Sequence, residues 1–265
     1  MEDKDNKISY ISILHQAKLV FRSIGFLGLL AIVLYQHFSD TEFLYFDNVG
    51  FVIVCFIIWI AYLLEMIARF FPNNMESMGC QKQFKINYMP LEYDEADLIE
   101  KRKKDNKSAI IIAILWIALV ALIGVLYYFR IIDIDIILLV CLFFAICDMI
   151  CILYYCPFQE LIMKNRCCVR CRIYNWDYAM MFLPLIYIPH FFTYSLLAAS
   201  LALLVKWEIE YNRNPERYEV FSNAALSCEN CQEKLCSHKT SLQRFIKKYN
   251  KMFQNELSKV KKNIH

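Results

Sequence analysis

The chain has 265 residues, 58% of them apolar, and a formal net charge of +3. Its apolar residues fall into uninterrupted runs separated by charged blocks, which is the pattern of a polytopic membrane protein and not of a soluble domain with an ordinary core. Glycine (5) and proline (6) are scarce, which argues against a transporter built on discontinuous, closely packed helices.

The opening stretch MEDKDNKISYISILHQAK is charged and polar, so no cleavable signal peptide is expected. Residues 1–18 read instead as an amphipathic segment lying along the membrane surface. Four spans follow in two pairs. Residues 19–71 hold Leu19 to Phe38 and Val49 to Phe71, the second stopped by Pro72. Residues 108–155 hold Ser108 to Phe129 and Ile131 to Tyr155, joined by the short link YYFRIIDID and closed by Pro157. Each run reaches the roughly 20 apolar residues that a bilayer core requires.

Lysine and arginine set the orientation. The link HFSDTEFLYFDN carries neither, and the link between spans three and four carries only Arg130. The charged loop 72–107 carries seven, and Lys164 to Arg172 adds four. The excess belongs on the cytoplasmic side. The N-terminus, the loop 72–107 and the Cys-rich loop 156–176 are therefore placed there, in a cell membrane.

Residues 177–207 are too long for one crossing and too short for two, and Pro184 and Pro189 interrupt them. Proline removes a backbone donor and breaks a helix. Eleven Lys and Arg residues follow between Glu208 and His265, and a single crossing would carry that basic tail outside, against the charge rule. We expect a broken, re-entrant hairpin: a half-helix to Ile188, capped near His190, then a longer helix returning to Trp207. The competing reading is one long tilted span with an external tail. The expected fold is thus an all-α, multi-pass helical bundle with a cysteine-rich cytoplasmic tail, residues 208–265. That tail ends in the basic amphipathic stretch SLQRFIKKYNKMFQNELSKVKK. This stretch suits anionic lipid at the inner face, or packing against its own protein or a second protomer. The basic residues are spread along the inner membrane surface, so nucleic acid is not an expected partner.

Twelve cysteines occur. Cys55, Cys141, Cys147 and Cys151 lie within spans, where a thiol behaves as a small hydrophobe, and Cys80 and Cys156 stand apart. The others form two clusters, Cys167, Cys168 and Cys171, then Cys228, Cys231 and Cys236 with His238. Stable disulfides are disfavoured in the cytoplasm, whereas paired CxxC turns suit tetrahedral zinc. Cys168, Cys171, Cys228 and Cys231 form the expected zinc quartet, with Cys167, Cys236 and His238 as substitutes or a second site. An iron–sulfur cluster or an exchanging dithiol is the alternative use of the same residues. Arg166, Arg170 and Arg172 would offset thiolate charge and contact lipid phosphates.

Charges inside spans are costly and mark candidate function. Glu65 and Arg69 are four apart on one helical face and suited to pair. Asp148, Asp177, His190 and Lys206 complete a possible polar pocket near the inner lip. Trp59, Trp176, Tyr178 and Trp207 read as interfacial anchors. No nucleophile elbow, zinc-protease motif, phosphate-binding glycine loop or paired magnesium-binding acids occur. The sequence favours a non-catalytic sensor, scaffold or assembly partner with a structural zinc, over a membrane redox protein. A membrane enzyme or transporter working through Glu65, Arg69 and Asp148 ranks third.

Overall fold

The structure is a computed structural model that describes residues 10–39, 49–165 and 167–231. Its helices are α1 (Tyr10–Ser39), α2 (Val49–Ala68), α3 (Met78–Gln81), α4 (Glu95–Tyr128), α5 (Ile134–Leu153), α6 (Asp177–Phe182) and α7 (Phe191–Arg213). Among the described residues the pairing of extended backbone is limited to one bridge, Pro90 with Asn223. Helices α1, α2, α4, α5 and α7 are long and apolar enough to cross a membrane.

Two sequence boundaries move. Residues 10–18 are not a separate surface segment but the first turns of α1. No glycine or proline interrupts them, and Ile11, Ser12, His15 and Arg22 form a continuous buried stripe. Likewise EYDEADLIEKRKKD, whose acids before bases suit a helix dipole and which the sequence places as an amphipathic stretch in the loop 72–107, runs without a break into the third span as the start of α4. Asp94 caps that helix by accepting from the Ala96 amide, and Glu95 and Asp97 sit in its first turn, where the helix dipole favours acids. At 1.5 Å per residue its 34 residues extend about 51 Å, well past the roughly 30 Å of a hydrocarbon core.

The proline-rich fifth region folds back on itself. After α6, Leu183–Tyr187 form a 3₁₀ turn, the chain breaks at Ile188 and Pro189, and α7 begins. His190 caps α7: its Nδ1 accepts from the Phe192 amide (3.4 Å), while its own amide donates to Thr193 Oγ1 (3.2 Å). Helix α6 packs along α7 and α5. Both limbs return to one end, for Asp177 reaches Arg69 at 2.7 Å and Lys206 Nζ reaches the Phe70 carbonyl at 2.6 Å. The freed backbone groups of the broken limb are met inside the protein. Trp116 Nε1 donates to the Met180 carbonyl at 3.0 Å, as membrane-depth backbone requires.

At that shared end the starts of α1, α4 and α6 meet the ends of α2, α5 and α7. The segments 69–94, 154–176 and 214–231 fold there into a platform. Tyr187 marks the opposite direction: its hydroxyl donates to the Val120 carbonyl at 3.0 Å. Gly124 admits that ring, since a Cβ there would lie 2.2 Å from the Tyr187 hydroxyl and 2.4 Å from Cζ. Gly124→Ala should therefore displace Tyr187 and cost about 1–3 kcal/mol of stability. Thermal unfolding in nanodiscs checks this, and Tyr187→Ala should relieve most of the loss.

Candidate functional site

Where α1, α2, α5 and α6 meet the platform, charged side chains are buried together. Arg22 of α1 is 6% exposed, and its Nη1 donates to the Ala145 carbonyl (3.0 Å) and Asp148 Oδ2 (3.1 Å). Its Nη2 reaches Glu65 Oε2 at 3.2 Å, which also accepts from the Tyr178 hydroxyl at 2.7 Å. Lys18 joins Glu65 (3.4 Å) to Glu76 (3.6 Å). Arg69 is 2% exposed and donates to both oxygens of Asp177 (2.8 and 2.7 Å) and to Asn175 (3.3 Å). It also approaches Glu76 at 3.5 Å and lies over the Tyr178 ring. His15 sits beside the network, 3% exposed, with neither ring nitrogen hydrogen-bonded.

Of the six residues expected at a polar pocket, Glu65, Arg69, Asp148 and Asp177 join this network. The expected Glu65–Arg69 pair is replaced. Arg69 turns to Asp177 and Glu76, which can surround a buried guanidinium, and Glu65 turns to Arg22 and Lys18. Lys206 lies alongside, on the Phe70 carbonyl just past α2 and near the Phe70 and Phe84 rings. His190 is elsewhere, at the start of α7. The sequence reading missed Arg22, Lys18, Glu76 and Tyr178. Lys18 and Arg22, one turn apart at the head of an apolar run, were the available signal.

Two of the four expected aromatic anchors are packed inside, while Trp59 and Trp176 are half-buried. Tyr178 and Trp207 are fully buried, Trp59 Nε1 donates to Ser195 Oγ (2.7 Å), and Trp176 Nε1 donates to Glu208 (2.7 Å). Trp207 Nε1 donates to the Arg172 carbonyl at 2.9 Å, and the Arg172 guanidinium pairs with Glu208 at 2.7 Å while stacking on the Tyr211 ring at 3.6 Å. Arg172 is thus turned inward, away from thiolates and lipid phosphates; Arg166 lies outside the described residues.

Lys82 is wholly buried beneath the platform. Its Nζ donates to the Val169 and Cys171 carbonyls at 2.9 Å each, near the rings of Trp207 and Tyr218. Burial lowers its pKa to about 8, against a raising influence from the Cys171 thiol. The segment after α7 is tied down by backbone-directed bonds. Asn223 Oδ1 accepts from the Met89 amide (3.1 Å), Asn223 Nδ2 donates to the Arg217 carbonyl (2.8 Å), and Arg217 donates to the Gln83 carbonyl (3.0 Å). The Ala224 amide donates to the Met89 carbonyl at 2.8 Å.

The two cysteine turns lie side by side at this platform, for Arg170 of the first reaches Cys228 Sγ of the second at 3.8 Å. They do not gather four sulfurs round one point: among the described residues no three His, Cys, Asp or Glu side chains group to hold a metal ion. The Cys168 thiol is buried and directed at the Ile152 carbonyl (3.4 Å), the Cys151 carbonyl (3.7 Å) and Gln159 Oε1 (3.6 Å). The Cys168 sulfur is placed there as a thiol donor. Burial, and secondly Cys156, pushes the Cys171 thiol up, against lowering influences from Lys82 and from hydrogen bonds of the Ile173 backbone and the Gln159 side chain. Cys228 is exposed and Cys231 half-buried. Among the described residues, then, Cys168, Cys171, Cys228 and Cys231 are not gathered as the expected quartet. Cys167 lies near Lys82, and Cys236 and His238 lie outside the described residues.

Arg22→Met should leave Asp148 facing an apolar wall and cost about 3–5 kcal/mol. The double variant Arg22→Met/Asp148→Leu, which removes both charges, should melt closer to the wild type in nanodiscs. Glu219 gives a pH test. Burial, with Asp105 nearby, raises its pKa from 4.5 to about 7 despite Lys101. Between these values the folded chain keeps a proton that the unfolded chain releases. Stability should then fall as pH rises from 4.5 to 7, by on the order of 3 kcal/mol, and Glu219→Gln should flatten that slope. Compared with family models, curated proteins and solved structures, the chain matches none.

Proposed function

We propose that the chain is a non-catalytic multi-pass membrane protein, a sensor or assembly unit whose bundle holds a folded platform on the cytoplasmic side. The observation that carries this reading is the closed pairing of the buried charges. Arg22 and Arg69 are engaged by Asp148, Glu65, Asp177 and Glu76 of their own chain. A lipid-modifying enzyme or a transporter would need those carboxylates to meet a substrate, and here each is held by a cation.

The cytoplasmic placement rests on the lysine and arginine bias. Lys103, Lys104 and Lys107 are exposed near the base of α4, above the exposed Ile110, Ile111 and Ile114. Such a face suits anionic lipid, with ammonium groups at headgroup level and isoleucines among acyl chains. Zinc is not part of this reading, because hydrogen bonds through Asn223, Arg217 and Ala224 already fasten the segment after α7.

A membrane-impermeant maleimide tests the sidedness. It should modify Cys228 in inverted vesicles and not in sealed, right-side-out ones, and Cys228→Ser should remove most of the signal. Labelling of sealed vesicles from outside would overturn the orientation.

A further inference from the structure

The two CxxC turns share a backbone form and differ in surroundings. The Cys171 amide donates to the Cys168 carbonyl (2.9 Å), and the Cys231 amide approaches the Cys228 carbonyl at 3.4 Å. A turn closed from i to i+3 holds its outer Cα atoms within about 7 Å, and a disulfide needs about 4.4–6.8 Å. In the first turn this proximity is not available for chemistry, because the Cys168 thiol is buried against the carbonyls that end α5. The second turn faces water, with Cys228 exposed. Arg170, inside the first turn, extends its Nη2 to Cys228 Sγ at 3.8 Å, and its buried Nε has no hydrogen-bond partner among the described residues. One turn is thus fixed in the core and holds a guanidinium against the sulfur of the other.

We propose that Cys228 and Cys231 are a solvent-facing dithiol that exchanges with disulfides, with Arg170 bracing Cys228. The Cys228 sulfur attacks a disulfide R–S–S–R, whose S–S bond breaks. A mixed disulfide forms on Cys228, and one RSH leaves with the thiol's proton. Cys231 then displaces the second RSH and closes the Cys228–Cys231 bond. Two electrons and two protons pass from the chain to the two released thiols. Attack and departure both place negative charge on sulfur, which the neighbouring guanidinium offsets. Disulfides formed in a reducing compartment are transient and suit redox sensing, so this assigns a stimulus to the sensor reading. The inference rests on that reading only in placing Cys228 on the cytoplasmic side, and the maleimide labelling checks that independently.

The full chain, reduced and held in nanodiscs, is mixed with glutathione disulfide or with a disulfide-cyclised peptide, and its peptides are then weighed. The expected product is a Cys228–Cys231 bridge, without a glutathione adduct. The faster of the two reagents identifies the source of disulfide. Cys231→Ser should trap glutathione on Cys228. Arg170→Met should slow the reaction about tenfold, the worth of one hydrogen bond to a charged group, with Arg170→Lys between them. The proposal is overturned if the bridge forms elsewhere, including to Cys236, or if neither reagent reacts. It is also overturned if Arg170→Met, folded by its melting curve, reacts at the wild-type rate. Stoichiometric zinc that shields both thiols until it is chelated would overturn it too.

Discussion

Two guanidinium groups buried where helices meet the platform set the terms for the rest of the molecule. Arg22 and Arg69 cannot shed their charge, and taking a charge out of water costs several kcal/mol unless it is paired and hydrogen-bonded. Each therefore needs carboxylates from other elements. Arg22 on α1 draws on α2 and α5, while Arg69 at the end of α2 draws on α6 and the segment leading to α3. Ridge packing between apolar helices in lipid specifies rotation and depth weakly, because lipid tails are as apolar as the side chains they compete with. A bidentate ion pair admits little sliding. The network thus fixes the depth of α1, whose spanning window is otherwise largely exposed, and it fixes where the broken limb must begin, since Asp177 is the first residue of α6.

The platform follows the same logic with hydrogen bonds in place of ion pairs. Its loops carry apolar side chains into a shared core, and they also bury polar backbone that must find partners. Lys82 supplies two donors to the turn carrying Val169 and Cys171, and Asn223 serves both the Met89 amide and the Arg217 carbonyl. A metal would be one way to hold such loops. Single side chains reaching across the chain are another, and Lys82, Asn223 and Arg217 reach across in this way.

Much of the bundle was legible in the sequence because the bilayer is a severe solvent. Twenty apolar residues, prolines at Pro72 and Pro157, and the lysine bias leave few alternatives, and even the reversal at Pro189 was readable from excess length and the basic tail. Helix starts were less so. Apolar periodicity fades where a helix leaves the hydrocarbon, so the first turns of α1 and α4 looked like amphipathic stretches separate from the spans they begin. Pairing was least legible. Glu65 and Arg69 stand one turn apart, but local spacing says only that they can meet, while burial decides that Arg69 needs Asp177, more than a hundred residues on. CxxC spacing likewise specifies a tight turn without specifying whether its sulfurs face inward or outward.

That last ambiguity explains the run CCVRCR. Its cysteines and arginines suggested one polyvalent centre, but the fold distributes them. Cys168 closes the end of α5, Cys171 lies under the platform with its carbonyl on Lys82, and Arg172 turns back to Glu208 and Tyr211. Arg170 alone points across to the neighbouring turn. A tight turn sends successive side chains in different directions, so a dense cluster in sequence need not be a cluster in space. Here Cys168, Cys171 and Arg172 are consumed by structure, and Arg170 is held where a thiol of the other turn meets solvent. Arg170 is carried on a closed turn and so is presented to the sulfur of the other. Its effect on the sulfur beside it is therefore a property of the fold, built from the same buried contacts that hold the platform to the bundle.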